Sequence, residues 1–184
     1  DNSDFSSYLN KAKDQGCDVI FAPVSIAYST QIVNQAASLN ISLPMLGSDT
    51  WDDNMVLQAA KGKDVKVFVS TFYAEGGNQK FDDGIKAYIN GNADAKTTNG
   101  GDDTVSAVTA MGYDVYYVAL EALKAAGSTD PAKVMEALPG VTYDGVSGHI
   151  AFDETGDAIR DTAYIKTIDA AAGAWTFVTQ QKAS

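Results

Sequence analysis

The side chains best suited to binding chemistry follow the first two predicted strands of the chain. Ser25 comes directly after the predicted strand 18–24, and Asp49 comes directly after the predicted strand 44–48. Ligands of open parallel sheets lie at the carboxyl ends of the strands, so both residues would face one edge of such a sheet. The Asp49 carboxylate suits an ammonium group, whereas the Ser25 hydroxyl and the following helix amides can donate to a polar ligand.

Two aromatic residues adjoin these polar groups, and each candidate also has a structural interpretation. Trp51 would supply an aromatic wall, and Tyr28, one turn into the second helix, would supply a phenol hydroxyl. Ser25 and Asp49 are also common helix N-caps. Tyr28 has the spacing of the apolar stripe of its helix. Trp51, next to acidic residues, could be a half-buried side chain that anchors the surface. The residues alone leave both interpretations open.

Other reactive patterns in the chain are weak. The segment 153–157 lacks the spacing of a calcium loop, and we predict a hairpin turn there. Cys17 and His149 are single residues of their types, which argues against a disulfide or a metal cluster. The chain contains no G-x-S-x-G elbow, no phosphate loop and no base paired with a nucleophile. We therefore expect no cofactor and disfavour an enzyme.

Composition narrows the class further. The chain has 184 residues, 24 acids and 13 bases, a formal charge of −11 and 45% hydrophobic residues. That apolar content predicts one globular body or two small lobes rather than disorder. Arg160 is the single arginine, so nucleic-acid binding is disfavoured. No signal-peptide pattern follows Asp1, and composition by itself leaves the cellular location open.

The predicted elements that position these residues alternate between strand and helix. Strands are predicted at 18–24, 44–48 and 65–73, an early helix is capped by Ser3, and later helices begin at Ser25 and Asp52. This order is typical of a parallel α/β sheet. A break at 75–78 leads into helices that end near Pro139, and strands follow at 148–152, 162–168 and 174–178. The chain would thus leave one lobe at 74–78 and return near 139–142.

Four stretches of the sequence resemble a known family. They are GCDVIFAPVSIAYSTQIVNQA (16–36), PMLGSDTWD (44–52), GYDVYYVALEALKAAGSTDPAKVMEAL (112–138) and GVSGHIAFDETGDAIRDTAYIKTI (145–168). Together they resemble the extracytoplasmic solute-binding proteins of branched-chain amino-acid ABC transporters, of the leucine/isoleucine/valine-binding kind. Such proteins have the type I periplasmic-binding-protein fold, in which two flavodoxin-like, parallel-sheet lobes clamp an amino acid. They are nearly twice as long, so this chain resembles their carboxyl-terminal half.

The resemblance implies a domain division and a set of partners. Residues 1–74 would be βα units of the second lobe, 75–139 a helical segment of the first lobe, and 140–184 the closing strands of the second lobe. The implied partners are an amino-acid ligand, a membrane permease, and the missing N-terminal half or a second copy of the chain. The implied location is extracytoplasmic, with the signal segment outside this chain. A sensory ligand-binding domain of the same fold is the alternative, and a small α/β enzyme is a weaker one.

The resemblance also bears on the four candidate residues. Asp49 falls where the family holds an acidic residue that binds the α-ammonium of the ligand. Ser25 falls near a second-lobe contact that is often aromatic. Tyr28 and Trp51 are candidates because they lie next to these positions in the sequence. The expected function is non-catalytic capture of an amino acid by closure of the two lobes.

Overall fold

The computed structural model describes residues 3–160 and 162–182 as an α/β protein. The helices are α1 Ser6–Asp14, α2 Ile26–Ser38, α3 Asn54–Ala60, α4 Gln79–Gly91, α5 Ala93–Thr98, α6 Ala107–Ala126 and α7 Pro131–Ala137. The strands are β1 Ile20–Phe21, β2 Met45–Gly47, β3 Val67–Thr71, β4 Tyr143–Gly145, β5 Gly148–Phe152, β6 Ala158–Ile159, β7 Thr162–Asp169 and β8 Ala174–Lys182. Short 3-10 turns cover Asp49–Trp51 and Leu138–Gly140.

The first of two parts of the molecule is built on a five-stranded sheet with the order β1-β2-β3-β7-β8, so it combines the beginning and the end of the described chain. Strands β1, β2 and β3 are parallel, and β7 and β8 extend the sheet in antiparallel pairing. The predicted α/β fold with parallel strands is therefore confirmed. The helices that link parallel strands must cover the sheet, and α2 and α3 pack against each other on it.

The main core lies between this sheet and its helices. On β3 the buried positions alternate, as a half-buried strand requires, with Val67, Val69 and Thr71 inside. On α2 the buried face includes Ile32 and Ala36, two of the residues that the helical spacing places inside. The predicted apolar stripe is thus correct for the middle of α2.

The structure differs from the predicted boundaries at the start of the chain. The predicted strand 18–24 is only two residues long as β1. This strand is at the sheet edge, has one partner, and leaves Phe21 65% exposed. The predicted Ser3 cap is also wrong, because α1 begins at Ser6 and the Asp4 carboxylate accepts the Ser6 N–H at 2.9 Å.

The second part of the described chain consists of α4 to α7 and a small antiparallel sheet. That sheet has the order β4-β5-β6, and the strand predicted at 148–152 belongs to it as β5. The predicted hairpin at 153–157 is confirmed, since the Asp153 N–H donates to the Asp157 carbonyl between β5 and β6. The chain rejoins the five-stranded sheet at Thr162. The assignment of 1–74, 75–139 and 140–184 to lobes stays a prediction, and residues 1, 2, 161, 183 and 184 of those segments lie outside the described residues.

Buried carboxylates fasten the helices of this second part. Asp82 on α4 accepts the Tyr73 hydroxyl at 2.6 Å and the Gly76 N–H at 2.7 Å. Asp114 on α6 accepts the N–H groups of Val146 and Ser147, both at 2.8 Å. Through charge-assisted hydrogen bonds, Asp82 therefore ties α4 to the segment that leads into it, and Asp114 ties α6 to the turn between β4 and β5.

Two further contacts connect the five-stranded sheet with the helical part. The Asn54 side-chain amide donates to the Asn99 carbonyl at 2.5 Å and to the Asp102 carboxylate at 3.2 Å. Phe72 lies where the chain leaves the five-stranded sheet, and Arg160 lies just before the chain returns to it. The Arg160 guanidinium is 5.1 Å from the centre of the Phe72 ring, so the two connections between the parts are in contact. Within the described residues, no helix has the length and apolar character needed to cross a membrane.

Candidate functional site

The carboxyl ends of β1 and β2 meet at one edge of the sheet, as the sequence predicts. The Thr50 hydroxyl donates to the Val24 carbonyl at 2.9 Å, and it lies 2.9 Å from the Ser48 hydroxyl. These contacts join the loop after β1 to the loop after β2. We call the surface formed by Val24, Ser25 and 48–50 the strand-end edge.

Asp49 lies at the strand-end edge, and its carboxylate is not used by the rest of the described chain. Asp49 is the first residue of the 3-10 turn and is half-buried. Its side chain makes no hydrogen bond or ion pair with any described residue. The helix that follows is capped instead by Asp53, whose carboxylate accepts the Met55 N–H at 2.7 Å. The structure thus excludes capping of α3 as the role of Asp49.

Ser25 also has an uncommitted side chain. It stands at the N-cap position of α2, yet its hydroxyl accepts no capping hydrogen bond. The first turn of a helix leaves N–H groups without intrahelical partners and carries the positive end of the helix dipole. An exposed hydroxyl and the start of a 13-residue helix therefore lie on this edge, on the loop that the Thr50–Val24 hydrogen bond joins to the loop of Asp49.

The two aromatic candidates lie differently from the polar ones. Tyr28 is 37% exposed and packs edge-on against Phe5, the residue before α1, with ring centroids 5.8 Å apart. Trp51 is fully buried, because the 3-10 turn folds it onto Gly47. Its ring therefore presents no face to a ligand at the strand-end edge. Trp51 packs beneath the 3-10 turn and so supports the turn, which also carries Asp49.

A buried ion pair fixes the end of the same turn. Asp52 is only 4% exposed, and its carboxylate binds the Lys166 ammonium of β7 at 2.5 Å. It also accepts the Thr71 hydroxyl of β3 at 2.9 Å. The Lys166 ammonium lies 5.2 Å from the centre of the Trp175 ring. The charge of Asp52 is thus neutralised inside the protein, whereas that of Asp49 is left to the surface.

Sequence reasoning missed Thr50 and Lys166, although the sequence carried a signal for one of them. In β7 the side chains alternate between faces, and Lys166 shares its face with the buried Ile168. A lysine at an inward strand position indicates a buried acidic partner. Thr50 had no comparable signal, because its bond to Val24 depends on how closely two loops approach.

The edge is open in this chain. Ser25 and Thr50 are exposed and Asp49 is half-buried, so a ligand resting there would be covered on one side. A cavity of about 180 Å³ lies further along the same loop, lined by 52–55 and 98–100 among others. It is bounded by the Asn54 contact between the two parts of the molecule rather than by Asp49. A complete ligand cage at the strand-end edge needs a second surface.

Solved structures share this fold. The chain superimposes on leucine-binding protein LivK from Thermotoga maritima with a TM-score of 0.76 and 26% identity, over 98% of this chain and 49% of that one. The isoleucine complex of LivJ from Streptococcus pneumoniae gives a TM-score of 0.68 and 22% identity, over 96% and 49%. A benzoate complex of a solute-binding protein from R. palustris gives 0.72 and 15%, over 99% and 48%. The fold is that of the type I periplasmic binding proteins.

The family follows from the sequence itself. The sequence model of the family described as periplasmic binding protein matches residues 1–174. The chain belongs to the periplasmic binding protein family. It spans about half the length of the solved structures to which it is similar. A comparison with curated protein sequences found no match.

Proposed function

We propose that the chain forms one side of a non-catalytic binding site for an amino acid, branched-chain or related. The observation that carries this proposal is the Asp49 carboxylate at the strand-end edge, which pairs with none of the described residues. The Ser25 hydroxyl, which caps nothing, lies on the other loop of the same edge. The carboxylate binds the α-ammonium group of the ligand. A charge-assisted hydrogen bond of this kind contributes about 1.5–3 kcal/mol.

The charges at the edge favour an amino acid over a ligand that is only an acid. Related proteins have been solved with isoleucine and with benzoate. A benzoate ion has no ammonium group, and its negative charge would be repelled by Asp49. The nearest neighbouring acids along the chain, Asp52 and Asp53, are already committed to Lys166 and to the cap of α3. The free negative charge therefore selects a ligand that carries a positive group.

The remaining side-chain contacts come from the same loops and from outside the chain. Ser25 hydrogen-bonds a polar group of the ligand, Tyr28 borders the edge one helical turn further on, and Trp51 holds the turn in place. The second surface of the site comes from the half of the related structures that this chain does not span. Closure of the two surfaces around the amino acid presents the complex to the permease of an ABC transporter, outside the cytoplasmic membrane.

Calorimetric titration of the complete protein, with both halves present, tests this function. Leucine, isoleucine, valine and benzoate are each titrated into the wild type and into Asp49→Ala. We expect at least one amino acid to bind more tightly than benzoate. Asp49→Ala is expected to weaken that binding more than about tenfold, or roughly 1.4 kcal/mol.

Asp64→Ala is the matched control. Asp64 is an exposed aspartate that precedes β3, at the opposite edge of the sheet from the strand ends. Its substitution is expected to leave the affinity unchanged. Equal affinities of the wild type and Asp49→Ala for the amino acid would refute the assignment.

A further inference from the structure

The two parts of the molecule have separate apolar cores. The largest cluster of buried apolar side chains, around Val33 and Trp51, belongs to the five-stranded sheet and its helices. Two smaller clusters, around Phe81 and around Val118, belong to the helical part. Within the described residues, none of these clusters combines side chains of both parts. Parts that do not share a large apolar interface are expected to move relative to one another.

One polar contact fastens the two parts together away from the chain connections. Asn54 is the first residue of α3, and its side-chain amide donates to the Asn99 carbonyl at 2.5 Å and to the Asp102 carboxylate at 3.2 Å. A single amide group therefore uses both of its N–H donors on the loop 99–104 of the other part. We call the Asn54 side chain and the loop 99–104 the latch.

The loop of the latch is held in shape by its own hydrogen bonds. The Asn99 side-chain amide donates to the carbonyls of Asp102 and Thr104, both at 3.1 Å, and the Asp102 carboxylate accepts the Thr104 N–H at 2.9 Å. A Cβ atom added at Gly100 would lie 3.0 Å from the Asn54 Cβ, so glycine lets the loop approach α3 closely. The contact can therefore break and form again without refolding the loop, which keeps its entropic cost low.

The latch also adjoins the segment that carries the proposed ligand-binding carboxylate. Asn54 directly follows Asp53, the cap of α3, and the same loop begins with Asp49. The cavity of about 180 Å³ described above lies between the two sides of the latch, with 52–55 on one side and 98–100 on the other. The latch thus fastens the helical part to the end of the site loop.

We propose that Asn54 and the loop 99–104 hold the two parts together while an amino acid is bound, without contacting the ligand. A ligand that needs the closed arrangement binds with an affinity reduced by the fraction of molecules that are closed. The latch raises this fraction, so it strengthens the binding of every ligand by the same factor. This inference rests on the proposed function and on the predicted domain division, in which Asn54 and the loop belong to different lobes.

Titration calorimetry of the complete protein tests the effect on affinity. Asn54→Asp keeps the size of the side chain but replaces the amide donor by a carboxylate that faces Asp102. We expect the affinities for leucine, isoleucine and valine to fall by one common factor of at least about tenfold. Asn10→Asp adds the same charge at an exposed position of α1 and should bind like the wild type. An unchanged affinity of Asn54→Asp, or losses that differ between the ligands, would overturn the proposal.

Disulfide trapping tests the contact itself and does not depend on the Asp variant. Asn54→Cys and Gly100→Cys are combined in a Cys17→Ser background, because Cys17 is an exposed free cysteine. The 3.0 Å between the two Cβ positions is close to the roughly 3.8 Å of a disulfide. The control pair is Asn54→Cys with Gly101→Cys, since a Cβ at Gly101 would meet nothing within 4 Å and both glycines have a left-handed φ. With oxidised glutathione, we expect the first pair to cross-link faster than the control pair, and faster still with a bound amino acid.

The trapping rates separate a failure of the latch from a failure of the proposed function. If an amino acid binds and leaves the rate of the first pair unchanged, the contact is a permanent one and the proposal is wrong. If no amino acid binds the wild type, the proposed function fails, and the rates without ligand decide. Equal rates of the two pairs would then refute the latch, whereas a faster first pair would support it.

Discussion

At the residue scale, three acids in one loop have three different roles. Asp52 is buried and paired with Lys166, Asp53 caps α3, and Asp49 is left facing the surface. Their chemistry is identical, so the surroundings alone decide which one is available to a ligand. Asp52 and Asp53 already have partners within the protein. Only the Asp49 carboxylate, which pairs with none of the described residues, is available to an ammonium group.

Gly47 permits the packing that holds this loop. A Cβ atom added at Gly47 would lie 2.3 Å from Cγ of Trp51, a distance that forces the indole to move. We expect Gly47→Ala to lower the free energy of unfolding by about 1–3 kcal/mol, because the core is overpacked. Chemical denaturation measures this change.

Gly84→Ala is the control with the opposite expected sign. Gly84 lies within α4, and a Cβ there would meet nothing within 4 Å. The substitution is expected to raise the free energy of unfolding by roughly 0.5–1 kcal/mol, through the better helix propensity of alanine. A Gly47→Ala protein as stable as Gly84→Ala would show that Trp51 does not depend on this close contact.

The sequence predicted the polar part of the edge better than the aromatic part. Ser25 and Asp49 could be placed together because parallel strands end at the same edge. The burial of Trp51 could not be predicted, since it depends on a 3-10 turn that reverses the chain directly after Asp49. A tryptophan next to acids looks the same in sequence whether it faces solvent or the core.

At the scale of elements, the ion pair between Asp52 and Lys166 joins the site loop to β7. We expect Lys166→Met to lower the free energy of unfolding by about 3–5 kcal/mol, because it leaves the Asp52 carboxylate buried without its counter-ion. Adding Asp52→Asn to Lys166→Met should recover part of the loss. Urea denaturation of the wild type, Lys166→Met, Asp52→Asn and the double variant measures the coupling between the two residues.

Lys66→Met serves as the comparison for the loss of a lysine. Lys66 is exposed and directly precedes β3, so its replacement should change stability by no more than about 0.5 kcal/mol. If Lys166→Met were as stable as Lys66→Met, the pair would contribute nothing to holding the loop.

The contact between Tyr73 and Asp82 makes stability depend on alkaline pH. Burial, and then the hydrogen bond to the Asp82 carboxylate, raise the pKa of Tyr73 well above its usual value. The unfolded chain releases this proton near pH 10, about the ordinary value for tyrosine, while the folded chain retains it. Stability from this contact is therefore complete below about pH 10 and decreases as the pH rises further.

The Tyr73→Phe variant isolates this effect. It should be less stable at neutral pH by about 1–3 kcal/mol, because Asp82 loses a donor, and it should lose less stability between neutral and strongly alkaline pH. Denaturation at a series of pH values gives both quantities. Tyr88→Phe, at an exposed tyrosine of α4, controls for the loss of a hydroxyl. Parallel curves for the wild type and Tyr73→Phe would contradict this interpretation.

The elements themselves were largely predictable, and their partners were not. Apolar spacing is enough to locate α2, α6 and β3, and α6 ends at Gly127, whose left-handed φ of 55° is one that glycine adopts readily. The pairing of β3 with β7 could not be read from the sequence, because it joins segments about a hundred residues apart. No local sequence pattern predicts which residues of β3 and β7 pair.

At the scale of the whole molecule, two surfaces of the described chain are open. The five-stranded sheet has its own core, whereas the helical part depends on small clusters and leaves Val108, Val115 and Tyr116 of α6 exposed. The strand-end edge is open as well. Both features are expected of a protein that spans half the length of its solved relatives.

The family could be inferred from the sequence because the resemblance spans nearly all of it. Long-range packing was the part that could not be inferred. The contact of Asn54 with Asn99 and Asp102 arises only when the two parts of the molecule are brought together. In the sequence Asn54 belongs to a predicted helix, and nothing in its local pattern indicates a contact with Asn99 or Asp102.

The proposed function depends on a bond between the Asp49 carboxylate and the ammonium group of an amino acid. The most direct test titrates the complete protein with the tightest-binding of leucine, isoleucine and valine, and with the same compound lacking its amino group. Both are measured with the wild type and with Asp49→Asn. We predict that removing the amino group weakens binding to the wild type by more than about tenfold but changes binding to Asp49→Asn far less. Equal losses in the two proteins would show that Asp49 and the ammonium group do not interact, and that Asp49 is not the ligand's partner.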